Sequence, residues 1–312
     1  MSTGINYLDE AWNPITGCTH AGSPGCDNCY ARVSHERRHK AFLAGKKMPP
    51  QYAHPFSKVQ FHPDRLDAPL HWRKPRNVGV VFGGDLFHGD VNENRRDAIF
   101  AAMLLAPEHK YFLLTKRAGD MARYANNIIA GERGLASAAA YELGRGILGA
   151  LVIKSALLGW PPEHVYHGAT CCTQPELDRN GPTMRGVPGK WWLSLEPLLG
   201  PVCFEDALGT DWQESQWRPS FVVVGSESGP NRRPCKLEWI LSIVEQCKAA
   251  GVPCWVKQIP VPKVRDAEWF ELDYSKHYFN AAQWDKACRQ HGWRVSHDMA
   301  EWPEALRVRS MP

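Results

Sequence analysis

The sequence is short of the features that place a protein at a membrane or mark it as a polyanion binder at once. Its longest apolar stretch, 146–160, is broken by Lys154 and Ser155, so no membrane span is expected. Its formal net charge is only +4 over 312 residues, too small by itself to define a nucleic-acid binder. The opening MSTGINYLDEAWNP has neither a basic n-region nor an apolar h-region, so no secretory leader is expected. There is no low-complexity tract, and no internal repeat beyond an alternation of strand-like and helix-like segments. Together these absences predict a cytoplasmic protein. In a reducing compartment its ten cysteines serve as thiols or metal ligands rather than as disulfides.

The chain does have enough apolar material, 44% of its residues, for one large α/β barrel or two ordinary domains. Thirteen tryptophans are also present; they suit a core and its rim, or stacking on nucleobases. Short continuous apolar runs recur at 78–82, 111–114, 165–169, 191–195, 221–224 and 254–256. Each stops at a polar or glycine-rich turn, the pattern of strands buried on both faces. Helical periodicity fills 94–105 and 237–250, the latter ending at Gly251 as a C-cap. Strand–helix alternation implies a parallel sheet, and six or seven units imply a partial or full (β/α) barrel. Function in such folds collects at the C-terminal ends of the strands. Asp85, Lys116, Arg117, Thr170, Glu196, Ser226, Glu227, Lys257 and Gln258 all fall there. We divide the chain into a barrel over 1–266, with a helical insertion at about 130–162, and a C-terminal extension over 267–312 packed on it.

Seven cysteines are scattered, but Cys18, Cys26 and Cys29 share one loop with the spacing C-x7-C-x2-C. Gly17, Gly22, Pro24 and Gly25 keep this segment out of regular structure, so it can wrap a metal centre. Soft thiolates suit zinc or an iron–sulfur cluster. A structural zinc site wants four ligands, usually two close pairs, and a second C-x2-C is missing. Three thiolates instead suit a [4Fe–4S] cluster with one open iron. The alternative is a zinc knuckle completed by His20, His35 or His39.

The pieces WNPITGC…SPGCDNCYA (12–31), VFGGDLFHGDV (81–91), FLLTKR (112–117), LSLEPLLGPV (193–202), VVVGSESGPNRRP (222–234) and CKAAGVPCWVKQ (247–258) occur in one order. In them the chain resembles a phage- and prophage-associated family with a three-Cys motif, a domain of unknown function that looks like a divergent branch of the radical SAM superfamily. C-x7-C departs from the commoner C-x3-C-x2-C of that superfamily, and Cys171–Cys172 stands where non-thiol residues are expected. The resemblance implies a radical SAM-type barrel and a [4Fe–4S] cluster whose open iron is chelated by S-adenosylmethionine (SAM). It implies one-electron cleavage of SAM to methionine and a 5′-deoxyadenosyl radical, with the electron supplied by a flavodoxin or ferredoxin. It implies that the Gly83–Gly84–Asp85 turn receives the SAM ammonium.

Each remaining strand-end group has a functional reading and a structural one. Asp85 is an acceptor for SAM or the cap of the next helix. His88 is a substrate contact or proton donor, or a structural hydrogen-bonding group. Lys116 and Arg117 bind a carboxylate or phosphate, or form a solvated face. Ser194 and Glu196 close one strand; Glu196 meets a ribose hydroxyl or a substrate amine, or is a buried partner of a base. Ser226 and Glu227, in a glycine-rich turn, hold adenosine or phosphate. Lys257 acts in catalysis or pairs with Glu196 or Glu227.

For the substrate, the phage resemblance implies a nucleobase, for example a hypermodified thymidine in phage DNA, with an isomerase or lyase outcome. Basic clusters at 37–40, 46–47 and 73–76 are compatible with a DNA backbone or with a solvated surface. Three alternatives stand beside this: a repair lyase of the spore photoproduct type, a non-catalytic zinc-binding nucleic-acid module, and an enzyme acting on a peptide or small metabolite.

Overall fold

A computed structural model describes residues 5–129, 160–214, 216, 218–263 and 281–312. The insertion expected at 130–162 therefore lies almost entirely outside the described residues, as does 267–280 of the expected C-terminal extension. Among the described residues the strands are β1 (Glu10–Trp12), β2 (Ile15–Thr16), β3 (Gln60–Phe61), β4 (Asn77–Val80), β5 (Lys110–Leu113), β6 (Val165–Thr170), β7 (Lys190–Leu195), β8 (Val222–Gly225), β9 (Cys254–Pro262) and β10 (Trp293–Ser296). The helices are α1 (Tyr30–Leu43), α2 (Glu93–Leu105), α3 (Ala118–Ile129), α4 (Gln174–Arg185), α5 (Phe204–Leu208), α6 (Leu237–Ala249) and α7 (Ala281–His291).

Hydrogen-bonded strand order, read through β7, is β1-β4-β5-β6-β7-β8-β9-β10, a mostly parallel α/β sheet flanked by helices. The six strand-like runs of the sequence are β4 to β9, each within two residues at its start. The ladders β1–β4, β4–β5, β5–β6, β7–β8 and β8–β9 are parallel. The edge strand β10 is antiparallel to β9, with Trp293 opposite Pro262 and Ser296 opposite Ile259. The central strands have no solvated face: every residue of β6 and β8 is buried. That is why their sequences read as unbroken apolar runs rather than as an alternation.

The chain divides into two compact units. The first comprises 1–169 with 186–192 and carries β1 to β6, α1, α2 and α3. Within it, Asn92 caps α2 by accepting from the Arg95 amide at 3.0 Å, and Asp97 to Leu104 are all buried, so this stretch of the helix is enclosed on every side. Trp192 packs so closely that a Cβ on Gly168 would lie 2.3 Å from its ring, and its indole N–H donates to Leu113 O at 3.0 Å. Only glycine fits there. The second unit comprises 170–185 with 193–312 and carries β8, β9, β10 and α4 to α7. Helix α6 buries Leu237, Ile240, Ile243, Val244 and Cys247 and ends two residues before Gly251, whose φ is +62°.

No described tryptophan is exposed, which favours the core-and-rim reading of that composition. Among the described residues no helix is long and apolar enough to cross a membrane.

Candidate functional site

The three-cysteine loop is built onto the end of β4 through its backbone. After β2 the chain turns at Gly17, with φ +89°, and a Cβ there would lie 2.3 Å from Lys58 O. Only glycine tolerates both the torsion and the approach. The Gly17 amide donates to Gly83 O at 3.1 Å, the Gly83 amide donates to Asn13 Oδ1 at 2.6 Å, and Gly17 bridges Gly84. The Cys18 amide donates to Phe56 O at 2.9 Å. Beyond it, Ser23 Oγ accepts from the Gly25 amide at 3.1 Å and opens a 3-10 turn over Pro24–Cys26. Cys29 is then the N-cap residue of α1.

Cys26 is buried, Cys18 and Cys29 are half-buried, and all three are free thiols. Among the described residues no three His, Cys, Asp or Glu side chains stand together as a metal-holding group. Cys18 Sγ instead donates to Thr19 O at 3.2 Å and accepts from Arg117 Nη1 at 3.5 Å. Burial, and then Asp85, push the Cys18 thiol up to about 11. Unmetallated, it is protonated at neutral pH and a poor free nucleophile.

Three thiols without a second C-x2-C pair are a donor set that fits an iron–sulfur cluster with one open iron. Of the three histidines that could complete a zinc site, only His20 has both ring nitrogens engaged by described residues. His20 Nε2 bonds Asp27 Oδ1 at 3.1 Å while its Nδ1 accepts from the Gly22 amide at 3.0 Å. His35 Nε2 bonds His54 O at 2.9 Å, and His39 Nδ1 bonds Tyr52 O at 2.8 Å.

Asp85 is the hub beside this loop. Its Oδ1 accepts from the Phe87 amide at 3.0 Å and from Thr115 Oγ1 at 2.7 Å; its Oδ2 accepts from Arg117 Nη1 at 2.7 Å. Both partners of the ion pair are largely buried. Arg117 Nη2 also donates to Thr19 O at 3.2 Å. His88 makes the second tie to the loop, with Nε2 2.7 Å from Thr19 Oγ1, and its Nδ1 accepts from the Asp90 amide at 3.1 Å. Burial, then Arg117, hold the imidazole below its ordinary value, so it is neutral. The structural readings of Asp85 and His88 thus have named partners. Lys116 lies half-buried between Thr115 and Arg117.

The second unit holds the remaining expected residues: Ser194 and Glu196 at the end of β7, Ser226 and Glu227 just past β8, and Lys257 inside β9, which runs on to Pro262 rather than stopping at 256 as its apolar run suggests. Lys257 Nζ donates to Glu196 Oε1 at 2.6 Å, and Gln258 Nε2 approaches the same oxygen at 3.3 Å. Gln258 Nε2 also donates to Ser226 O at 2.6 Å. Of the two carboxylates open to Lys257 on sequence, the structure pairs it with Glu196. Glu227 is held instead by Arg233, through the backbone amide at 2.7 Å, Nε at 2.9 Å and Nη2 at 2.5 Å. Ser226 is fully buried and its Oγ has no hydrogen-bond partner among the described residues. Ser194 is buried, and its carbonyl accepts from the Cys171 amide at 3.0 Å. Cys171 and Cys172 are buried as well; the Cys172 amide donates to Glu176 Oε2 at 2.7 Å, and burial pushes the Cys171 thiol up to about 12. These are core thiols.

Sequence reasoning missed Asn13, Thr19, Thr115 and Arg233. Thr115 and Arg233 lie inside motifs already singled out, and their side-chain partners are the missing information. Asn13 lies in the WNPITGC piece and Thr19 inside the loop itself, and it is again their partners that the sequence does not show.

A family model described as "Protein of unknown function (DUF5131)" matches residues 2–287, and the chain belongs to that family. No curated protein and no solved structure matches it.

Proposed function

We propose that this member of the DUF5131 family is a radical SAM enzyme, in which Cys18, Cys26 and Cys29 hold a [4Fe–4S] cluster and the adjoining strand-end turn receives S-adenosylmethionine. One observation carries the reading: the three-thiol loop is hydrogen-bonded, backbone to backbone, onto the Gly83–Gly84 turn at the end of a buried parallel strand. A partial or full (β/α) barrel of the radical SAM type is part of the same proposal. So is the assignment of the final chemistry to the isomerase or lyase class with a nucleobase as substrate.

When bound, the cluster and SAM supply a one-electron reductive cleavage that yields methionine and a 5′-deoxyadenosyl radical. The chain's own residues have more ordinary tasks. The glycines of the turn let the loop backbone at Gly17 approach closely, and this turn with Asp85 would supply acceptors for the SAM ammonium. Asp85, with three donors already on its carboxylate, orients Arg117, and Arg117 holds Thr19 and Cys18 in place. His88 fixes the loop through Thr19. In the second unit, Glu196 just past β7 and Lys257 within β9 present a paired carboxylate and ammonium, a pair suited to polar substrate groups. Ser226 offers a buried hydroxyl with an unused donor.

The test is anaerobic reconstitution with iron and sulfide, followed by SAM and a reductant, with 5′-deoxyadenosine as readout. A brown protein that releases 5′-deoxyadenosine is expected. A colourless protein that retains zinc would overturn the reading. The nucleobase assignment is tested by DNA binding at two salt concentrations, since each neutralised phosphate releases counterions. No DNA binding at low salt would remove DNA, and leave the cofactor chemistry standing.

A further inference from the structure

The second unit has a cleft of about 520 Å³ to which none of the strand-end residues described above contributes. That volume lies within the range of small-molecule sites. Its walls come from the start of α4, the segment 201–206 and one side of α6. Two glutamines make these walls firm. Gln174 of α4 accepts from the Cys203 amide at 2.7 Å and donates to the Cys203 carbonyl at 3.1 Å. Gln246 of α6 accepts from the Phe204 amide at 2.8 Å and donates to the Val202 carbonyl at 3.0 Å. The backbone over 202–204 is thus held from two helices, and neither glutamine needs a ligand to be satisfied.

The charged groups left on the cleft are of one sign. Glu205 and Asp206 line it, both are exposed, and neither carboxylate has a hydrogen bond or ion pair to another described residue. No Lys, Arg or His is among the described residues that line it. Arg185 of α4 is engaged by the Leu208 carbonyl and by Asp211. Acids in the first turn of a helix favour its N-terminus, which accounts for the residue type at 205 and 206. It does not account for the cleft beside them or for its floor. The floor is Trp212, only 2% exposed, whose ring packs on Phe204 with centroids 4.9 Å apart. Its indole N–H donates to no described residue. A buried indole N–H ordinarily finds an acceptor, so this one is open to a group that enters the cleft.

We propose that this cleft binds an organic cation, a protonated amine on an apolar body with a hydrogen-bond acceptor at its other end. The ammonium meets Glu205 and Asp206, the body lies against Val202, Ala249 and the Trp212 ring, and the acceptor takes the indole N–H. An anionic ligand would face two carboxylates and no base, an unfavourable juxtaposition that gives the site its selectivity. The cleft belongs to the second unit and the three-cysteine loop to the first, so this inference does not rest on the radical SAM reading.

The experiment uses three probes on the full chain at low salt, followed by titration calorimetry. Tyramine carries the ammonium, a ring and a hydroxyl acceptor; phenethylamine lacks the hydroxyl; 3-(4-hydroxyphenyl)propionate puts the opposite charge on the same body. Tyramine should bind saturably at a single site, phenethylamine about fivefold more weakly, and the propionate not at all. Glu205→Gln with Asp206→Asn, both exposed positions, should weaken tyramine by about tenfold or more. Trp212→Phe keeps a ring on the floor and should erase the difference between tyramine and phenethylamine. Cys203, a half-buried thiol that lines the cleft, reports the location. Saturating tyramine should slow its alkylation by iodoacetamide and leave Cys18 and Cys29 unaffected, as read by peptide mass. No saturable tyramine binding at millimolar concentration would overturn the proposal. So would equal affinity for the propionate, an unchanged affinity in the double variant, or alkylation of Cys203 at the same rate with and without tyramine.

Discussion

The strand ends of the two units hold their charges differently. In the first, one cation serves several partners: Arg117 reaches the Asp85 carboxylate, the Cys18 sulfur and the Thr19 carbonyl, while Thr115 holds Asp85 from behind. In the second, each carboxylate has its own base, Lys257 for Glu196 and Arg233 for Glu227. A shared network fails as a whole when one member is lost, whereas separate pairs fail one at a time. The first arrangement suits a loop that must be held at a fixed place.

The largest expected effect tests whether the first arrangement exists to serve a metal. Cys18→Ala, Cys26→Ala and Cys29→Ala should each abolish iron–sulfur absorbance and SAM cleavage after reconstitution. Cys171→Ala and Cys247→Ala, both buried core positions, should retain full iron content. Iron and sulfide analysis decides it; a loop variant with wild-type iron and cleavage removes that cysteine from the ligand set.

The acid range isolates a third kind of group, buried without any charge partner. His167 is fully buried on β6, and burial depresses its imidazole to about 4, against 6.5 in the unfolded chain. The unfolded state therefore binds the proton first as pH falls. Stability is unaffected above about 6.5 and declines between there and 4, by about 3 kcal/mol if this group acts alone. Urea midpoints at pH 7 and pH 4 should diverge less in His167→Phe than in wild type. An identical pH dependence in the two proteins would assign the decline to other groups.

A comparable effect compares network with pair. Asp85→Ala strands the largely buried Arg117 together with the donors Thr115 Oγ1 and Phe87 N–H. We expect a loss of about 3 kcal/mol in urea unfolding, with weaker SAM binding and the cluster still in place. Unchanged SAM affinity would make Asp85 purely structural. Glu196→Gln keeps a hydrogen-bond acceptor for Lys257 and should lose about 1 kcal/mol. Equal losses for the two variants would erase the distinction between the units.

The smallest effect concerns the unpaired hydroxyl of Ser226. Ser226→Ala removes a buried donor that has no protein partner, so stability should stay level or rise by about 1 kcal/mol. If turnover falls while stability rises, the hydroxyl serves the substrate; if both stay level, it is inert.

Much of the sheet was legible because its strands are buried on both faces and so appear as unbroken apolar runs. The positions of Asp85 and Glu196 just past their strands followed from that alone; that of Lys257 did not, because β9 runs on through it to Pro262. Helix α1 was not legible. Its single buried residue is a histidine, so it has no apolar periodicity to read. The edge strands β1 and β10, of three and four residues, are too short to announce themselves. Helix α4 contains Pro182, which argues locally against a helix and is accommodated in context.

By itself the sequence determined what is local along the chain: three thiols within one glycine- and proline-rich loop, the strand–helix alternation, and the polar residue that ends each strand. Spacing and periodicity suffice for these because each depends on neighbours a few residues away. Only the tertiary structure decided which charges meet. Arg117 finds Asp85 across 32 residues and Lys257 finds Glu196 across 61, because parallel register brings strand ends together that the sequence holds apart.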